Sequence, residues 1–431
     1  NSASADEVDR IHIAANSAAR EAVIAAAFGS VDDALSGPLA DERNINGPSF
    51  SPHLFGRFTP EEIDILASDP NVEIIQPDVP VPPTMDQSTA HIDMPPVWTA
   101  GGIGTNRTVA VLDTGTKGNH EFLQGAIISE ACYNTNFSGQ SASSLCPGGV
   151  ENSTASGSGA DCSENTAQGC SHGTHVAGTV LGNNSNRQSG EPRFGMAYNG
   201  RLISVNVFSL FGSSSGFCRS GTPSSCVLSY TTDQIQGLNR VYALRNTYNI
   251  DAINMSLGGG QYFSACDSDT RTSIITTLRN AGIATVIAAG NDGFNTSVGA
   301  PGCISNAITV ASSLDTSDSR SFFSNWGSLI DVVAPGSNIQ SSVYGGSSSA
   351  TSTYSNYNGT SMATPHVAGA FAALRQLYPT ATVTQIETAL ESTGVNISSA
   401  GTTKPRIDMD AACASLGGGS CGAATSGPIV A

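Results

Sequence analysis

Lysine, and charge in general, are scarce in this chain of 431 residues. Only 12% of the residues are charged, and Lys117 and Lys404 are the only lysines. The formal net charge is −17. Because the phosphates of a nucleic acid require a basic protein surface, this composition argues against nucleic-acid binding. An acidic surface favours solubility and by itself indicates no partner.

Long apolar runs are missing as well. No stretch reaches the roughly 18 apolar residues that cross a bilayer, so we expect no membrane partner. The polar start, Asn1–Asp6, shows no signal peptide, and an export signal would already have been removed. The chain is long for a single domain, and its length favours two.

Cysteine is absent up to Ala131, and all ten cysteines follow it. An even number of cysteines in Ser/Gly/Asn-rich loops predicts disulfides and an oxidising compartment. A zinc site is the alternative, but no Cys-x-x-Cys occurs. Spacing does not fix the connectivity. Local pairing is our working hypothesis: Cys132/Cys146, Cys162/Cys170, Cys218/Cys226, Cys266/Cys303 and Cys413/Cys421.

Residues 1–84 differ in composition from the rest of the chain. They carry fourteen Asp and Glu against four Arg, and they hold no cysteine. The patterns in this part predict strands at 8–13 and 71–75 and helices at 17–28 and from Thr59 to Pro70. The proline-rich stretch 77–83 then marks a domain boundary. We therefore expect two domains, 1–84 and 85–431.

Beyond residue 100, apolar strands alternate with helical patterns. The predicted strands are 108–113, 202–208, 252–258, 284–289, 307–312 and 330–333. The predicted helices are 172–182, 231–246, 268–281 and one starting near Thr360. This alternation predicts an α/β fold with a parallel sheet covered by helices on both faces. In such sheets the functional site lies at the carboxyl ends of the strands.

Three segments carry residues suited to nucleophilic catalysis. Asp113 ends an apolar strand, His172 begins a helix, and Ser361 lies at the mouth of an apolar helix after a glycine turn. A serine hydroxyl is a poor nucleophile unless a base removes its proton and an acid orients that base. The three residues fit the roles of orienting acid, base and nucleophile.

The motifs around these residues resemble those of subtilisin-like serine proteases. Five motifs occur in that family's order: Asp-Thr-Gly at 113–115, His-Gly-Thr-His-Val-Ala-Gly at 172–178, Asn-Met-Ser-Leu-Gly at 254–258, Ala-Ala-Gly-Asn at 288–291 and Gly-Thr-Ser-Met-Ala at 359–363. The resemblance covers roughly residues 86–411. It implies a subtilisin-like sheet and a secreted serine endopeptidase that forms an acyl-enzyme.

The resemblance also assigns roles around the nucleophile. Asn291 would donate its side-chain amide to the developing oxyanion, and the backbone N–H of Ser361 would be the second donor. An extended protein or peptide substrate would pair with the cleft as an added strand. The segments that line the family's cleft correspond here to Ser256, Leu257, Gly258, Ala288, Ala289 and Gly290. No cofactor is expected for catalysis, and we expect a monomer.

Residues 55–78 resemble the inhibitory propeptides of these proteases. By that resemblance, 1–84 would be a ferredoxin-like α+β domain that assists folding and then inhibits the enzyme within the same chain. Its tail, about 77–84, would lie in the cleft like a product. Cleavage would fall near Pro83 to Asp86. The alternative is an ordinary accessory domain.

Structural calcium is common in the family. Gln87, Asn183 and Asn184 stand where ligands occur in one of its typical sites. The chain departs from the pattern after His120, where Glu121 and Phe122 replace the usual aspartate segment. Calcium is therefore a plausible structural ion, and the ligands stay unassigned.

Other readings of these motifs compete with the triad. Asp-Thr-Gly also occurs in aspartic proteases, and Asp113 could pair with Asp315. That alternative expects a mostly β chain and leaves His172 and Ser361 without a role. His172 and His175 could be a metal pair, although the Glu of His-Glu-x-x-His is absent. A catalytically silent binding module is a further alternative.

Overall fold

The structure is a computed structural model of the chain. It describes residues 10–15, 53–57, 60–70, 72–77, 85–162, 166–167, 169–185, 188, 190–218, 225–344 and 352–421. The chain divides into two compact units, Asn1–Pro82 and Pro83–Ala431. No helix in these described ranges has both the length and the hydropathy needed to cross a membrane.

The first unit contains a small antiparallel sheet. Its described elements are β1 (Arg10–Ala15), β2 (His53–Arg57), α1 (Pro60–Ala67) and β3 (Val72–Pro77). The strand order is β2-β1-β3. The predicted strands and the helix that begins with the Thr-Pro-Glu-Glu signal therefore occur, with shifted bounds. The predicted helix at 17–28 lies outside the described residues.

The second unit alternates strands with helices. Its strands are β4 (Thr108–Asp113), β5 (Ile127–Tyr133), β6 (Ala142–Ser143), β7 (Asn152–Ser153), β8 (Arg201–Asn206), β9 (Ser209–Phe211), β10 (Cys226–Leu228), β11 (Ile250–Met255), β12 (Gly259–Tyr262), β13 (Ala284–Ala288), β14 (Val298–Ala300), β15 (Ile308–Ser313), β16 (Val332–Pro335), β17 (Ile339–Tyr344), β18 (Ser352–Tyr357), β19 (Val395–Ser399) and β20 (Thr402–Arg406). Its helices are α2 (Met85–His91), α3 (Met94–Thr99), α4 (His172–Leu181), α5 (Thr231–Leu244), α6 (Thr272–Asn280), α7 (Thr360–Leu377), α8 (Val383–Thr393) and α9 (Met409–Gly417).

Ten of these strands form one sheet in the order β19-β20-β16-β15-β13-β11-β4-β8-β5-β7. The strands from β20 to β5 pair in parallel, whereas β19 and β7 pair antiparallel at the two edges. In β4, Val109 and Val111 face one buried cluster and Ala110 and Leu112 face the other. Both faces are covered, as continuous apolar strands require. The predicted α/β parallel sheet is confirmed.

Some strands of the structure carry no apolar pattern. Strand β18, Ser-Thr-Tyr-Ser-Asn-Tyr, pairs antiparallel with β17. Its side chains are mostly polar, so hydrophobic alternation does not reveal it. The helix predicted at 268–281 is shorter in the structure and starts at Thr272, because the preceding residues form turns.

All five expected disulfides are present: Cys132–Cys146, Cys162–Cys170, Cys218–Cys226, Cys266–Cys303 and Cys413–Cys421. The hypothesis of local pairing is confirmed. Because every cysteine is bonded to another, none is available to bind zinc through a thiolate.

Candidate active site

Asp113 lies at the carboxyl end of central strand β4 and is fully buried. Its Oδ1 accepts a hydrogen bond from the backbone N–H of Thr114 at 2.7 Å. The hydroxyl of Thr114 donates to the carbonyl of Cys170 at 2.9 Å and accepts from the N–H of Gly173 at 2.9 Å. These contacts fix the end of β4 against the start of α4.

His172 is the first residue of α4, and its Nδ1 lies 2.7 Å from Oδ1 of Asp113. Its side chain is 25% exposed, so the ring reaches from the buried carboxylate to the surface. Gly173 permits this approach, because a Cβ there would lie 2.3 Å from the carbonyl oxygen of Gly115. A larger residue would push the helix start, and the imidazole with it, away from Asp113.

Ser361 is the second residue of α7, and its side chain lines the same cleft as His172. Its hydroxyl lies 3.2 Å from the carbonyl oxygen of Ser256 and donates to it. In return, the hydroxyl of Ser256 donates to the carbonyl of Ser361 at 2.7 Å. The start of α7 is thus tied to the segment that follows β11.

Asn291 follows β13, and its amide is oriented by the start of α7. Its Oδ1 accepts from the backbone N–H of Thr360 at 2.8 Å and from the Thr360 hydroxyl at 2.9 Å. The Thr360 hydroxyl also accepts from the N–H of Gly290 at 3.2 Å. With its oxygen held this way, Asn291 presents its Nδ2 as a hydrogen-bond donor.

Two N–H donors flank Gly359 at the helix start. A Cβ built on this glycine would lie 3.4 Å from Nδ2 of Asn291 and 3.5 Å from the backbone nitrogen of Ser361. The first N–H groups of an α-helix have no partner within the helix, and the helix dipole favours negative charge there. The place beside Gly359 is therefore suited to an oxygen that carries negative charge.

Thr360 is an element of the site that the sequence did not reveal. It is fully buried, and its hydroxyl connects Gly290 to Asn291. A threonine at a helix start usually caps its own helix, and nothing in its local pattern indicates a distant amide as its partner.

The cleft has a volume of about 1030 Å³. Five of the six residues expected to contact substrate line it: Ser256, Leu257, Gly258, Ala288 and Gly290. Ala289 is not among the lining residues. It is fully buried, and its carbonyl accepts from the N–H of Gly299 at 2.8 Å.

The second histidine of the motif, His175, faces away from the cleft. Its Nε2 lies 2.9 Å from the carbonyl oxygen of Ile339 and 3.1 Å from that of Ser355, and its ring stacks on Tyr357 with the centroids 4.4 Å apart. Complete burial lowers the pKa of His175 from 6.5 to about 3. It is a neutral structural residue, and the structure does not assemble a metal pair with His172.

Asp315, the partner that an aspartic protease would need, has different contacts from Asp113. It accepts a hydrogen bond from Nδ2 of Asn338 at 3.3 Å. Asp113 is instead paired with His172. The two carboxylates do not contact each other, so the geometry gives no support to a shared-proton aspartate pair.

Gln87, Asn183 and Asn184 lie at the positions where calcium ligands occur in one typical site of the family. Phe122 supplies no oxygen, and its ring packs so closely that a Cβ on Gly182 would lie 2.1 Å from it. Nδ2 of Asn183 donates to the carbonyl of Tyr198, and Nδ2 of Asn184 donates to the hydroxyl of Tyr354. These bonds use the amide nitrogens and leave the side-chain oxygens, and the buried Oε1 of Gln87 has no hydrogen-bond partner among the described residues, so structural calcium stays a prediction.

Elsewhere, Asp331, Glu387 and Glu391 bring carboxylate oxygens within 4.8 Å of one another. Burial raises the pKa of Asp331 to about 7, and its Oδ2 accepts from the N–H of Thr309 at 2.7 Å. Carboxylates this close can share protons as readily as hold a cation, and nothing here selects a metal.

Comparison with known proteins agrees with this geometry. Residues 104–408 match the model of the subtilase family. An extracellular serine proteinase from a Thermus species is 35% identical over 343 residues, which cover 77% of this chain and 68% of that protein. Subtilisin E from Bacillus subtilis is 32% identical over 335 residues, which cover 76% and 71% respectively.

A solved structure is similar as well. A protease from Pseudoalteromonas arctica shares 30% identity with a TM-score of 0.60, covering 78% of this chain and 100% of that one. The matches span most of the chain, including the segments that carry Asp113, His172, Asn291 and Ser361. The chain therefore belongs to the subtilase family and is a serine endopeptidase.

Proposed function

We propose that the protein cleaves peptide bonds through a triad of Asp113, His172 and Ser361. The observation that carries the proposal is the 2.7 Å distance between Nδ1 of His172 and Oδ1 of Asp113, with His172 and Ser361 lining one cleft. A buried carboxylate that accepts from Nδ1–H holds the imidazole in the tautomer whose Nε2 carries no proton and can act as a base.

The reaction follows from this arrangement. Ser361 Oγ attacks the carbonyl carbon of the scissile bond while His172 takes its proton, and Asp113 stabilises the imidazolium. The tetrahedral intermediate then expels the amine, which receives that proton from His172. Water hydrolyses the resulting acyl-enzyme by the same two steps. A hydroxyl carries one proton, so Ser361 must first turn it from the carbonyl of Ser256 towards His172.

Negative charge forms on the carbonyl oxygen during attack. Nδ2 of Asn291 and the N–H of Ser361 are the two donors placed to receive it, at the positive end of α7. These donors are held before the substrate arrives, because Thr360 fixes the amide of Asn291. The transition state is thereby stabilised without reorganisation of the site.

The substrate would lie along the cleft as an extended peptide. Ser256, Leu257 and Gly258 follow β11 and line one part of the cleft, and Ala288 and Gly290 line another. A Cβ on Gly258 would lie 2.9 Å from the carbonyl oxygen of Ala300, so there is no room for a side chain at this position. Backbone pairing with 256–258 would give affinity that depends little on sequence.

Labelling with a fluorophosphonate tests the triad. We expect the label on Ser361, no label on Ser361→Ala, and normal label on Ser143→Ala, a control at an exposed serine outside the cleft. Label on another residue, or inhibition by pepstatin without any fluorophosphonate reaction, would exclude the serine mechanism.

We also propose that residues 1–84 are an inhibitory propeptide and that the enzyme is made as a self-processing zymogen. Three observations support this: the compact unit Asn1–Pro82, its lack of cysteine and its concentration of acidic residues. A unit destined for removal does not need the disulfides that stabilise the rest of the chain.

Processing can be followed in the full chain. Ser361→Ala should accumulate uncut protein, whereas Ser143→Ala should yield a mature chain that begins near residue 85. N-terminal sequencing identifies the cut, and peptidase activity should appear together with it. Complete processing of purified Ser361→Ala would refute self-cleavage.

Secretion as a monomer completes the proposal. Five disulfides fit an oxidising compartment, and relatives such as the Thermus enzyme are described as extracellular. In the producing organism, the mature enzyme should be found in the medium. Light scattering should give the mass of one chain, and a retained or dimeric enzyme would contradict this part.

A further inference from the structure

Part of the cleft is lined by two buried polar side chains. Gln234 from α5 is 5% exposed and Arg271, just before α6, is 7% exposed. Thr231, one turn before Gln234, lines the same cleft. We call Gln234 and Arg271 the polar floor. Neither side chain has a described contact with the triad, so their polarity has no explanation in the chemical step.

The polar floor has more N–H donors than its hydrogen bonds use. The guanidinium of Arg271 has five N–H groups. Its Nε donates to Oδ1 of Asp269 at 2.8 Å, Nη2 donates to Oδ2 at 2.6 Å, and Nη1 donates to Oε1 of Gln234 at 2.8 Å. Two N–H groups of Arg271 remain.

The guanidinium also fixes the orientation of Gln234. Arg271 can only donate, so the amide must turn its oxygen towards it. Nε2 of Gln234 then points away from Arg271, and among the described residues it has no hydrogen-bond partner. The polar floor therefore offers N–H donors, while the oxygen of Gln234 already accepts from Arg271.

The net charge of the polar floor and its neighbour Asp269 does not strongly favour an anion. Asp269 pairs with Arg271 through two bonds, and this contact lowers the pKa of Asp269, so the pair is ionised and nearly neutral in sum. An amide oxygen and a carboxylate oxygen can both accept from the floor. An aliphatic side chain would instead cover the donors and leave them unpaired.

We propose that the polar floor is a specificity subsite that selects substrates whose side chain at one position ends in a carbonyl or carboxylate oxygen, with Gln and Glu foremost. Long side chains are favoured because the donor groups of Gln234 and Arg271 lie below the surface. The inference rests on the proposed peptidase function and adds to it a class of substrate.

A library of quenched fluorescent peptides, with one position varied at a time, tests the subsite. With the mature enzyme, kcat/KM should be about 5- to 150-fold higher for Gln or Glu than for Leu at one position, the range expected for leaving a buried donor unpaired. The library itself identifies the position. Equal rates for Gln, Glu and Leu at every position would overturn the proposal.

Two substitutions sharpen the test. Gln234→Leu removes the Nε2 donors and leaves the N–H groups of Arg271, so the preference for Gln and Glu over Leu should fall by at least about 2-fold, the loss of one hydrogen bond. Gln234→Glu replaces the donors with an acceptor, so Glu should lose more than Gln. Gln124→Leu, at an exposed glutamine outside the cleft, should keep the wild-type profile.

Fluorophosphonate labelling of the same samples separates the two proposals. An enzyme that labels on Ser361 but shows a flat profile would refute only the subsite. An enzyme that cleaves peptides without labelling on Ser361 would refute the serine mechanism. A profile that is unchanged in labelled Gln234→Leu would also overturn the assignment of the polar floor.

Discussion

Thr360→Val should reduce catalysis by loosening the amide of Asn291. Valine keeps the shape of the side chain and the backbone bond from residue 360 to Asn291, but it removes the hydroxyl that donates to Asn291 and accepts from Gly290. One such bond contributes about 0.5–1.5 kcal/mol, so kcat should fall roughly 2- to 13-fold. Asn291→Leu removes the donor itself, which should lower kcat about 100- to 1,000-fold, the range seen when the corresponding donor is removed in subtilisin.

The assay is steady-state hydrolysis of one chromogenic peptide by each variant. Both substitutions should act on kcat and leave KM within about twofold, because the donors act on charge that exists only in the transition state. Thr360→Ser keeps the hydroxyl and should recover most of the rate lost in Thr360→Val.

The double variant gives the sharpest test of this reasoning. If Thr360 acts only through Asn291, then Thr360→Val should have no further effect once Asn291 is leucine. Losses that multiply in the double variant would refute the positioning role. A Thr360→Val variant that changes KM alone would refute it as well.

Three further predictions concern stability. Burial lowers the pKa of His366 from 6.5 to about 4, so between these pH values the unfolded chain binds a proton that the folded chain does not. His366 therefore lowers the free energy of unfolding by about 1.4 kcal/mol for each pH unit that the pH falls. In thermal unfolding, His366→Gln should lose this part of the pH dependence, and a pH dependence parallel to that of the wild type would count against the prediction. Replacing Cys266 and Cys303 with serine opens a loop of sequence separation 37 and should cost about 4 kcal/mol, more than the loss of any disulfide with a separation of 8, measured by urea unfolding. Asp251→Asn removes a fully buried carboxylate that pairs with Arg107 and Arg375 and should cost about 3–5 kcal/mol; an unchanged urea midpoint would show that these pairs are dispensable.

Much of the site could be predicted because its parts are local in sequence. A parallel sheet brings the carboxyl ends of its strands to one edge, so Asp113 and the residues after β11 and β13 had to lie near each other. His172 and Ser361 each stand at a helix start within a short motif. The contact between Asp113 and His172 needs only these local signals and the topology.

The rest could not be predicted because it depends on contacts between distant segments. Asn291 and Thr360 are far apart in sequence, as are Gln234 and Arg271, and neither pair has a pattern of its own. A glutamine on an amphipathic helix and an arginine before another helix usually face solvent. Only their position in the packed structure shows that both are buried and line the cleft.

Close packing explains why the motifs extend beyond the reacting residues. In α4, a Cβ on Gly178 would lie 2.3 Å from Oγ of Ser341. In α7, a Cβ on Gly369 would lie 2.4 Å from Cβ of Met196 and 3.0 Å from the carbonyl oxygen of Val180, in α4. Neither glycine approaches the reacting atoms. Each lets its helix pack closely enough to hold its first turn, with His172 or Ser361, at the edge of the sheet. The motifs around His172 and Ser361 therefore contain residues required for the packing of α4 and α7 as well as residues required for the chemistry.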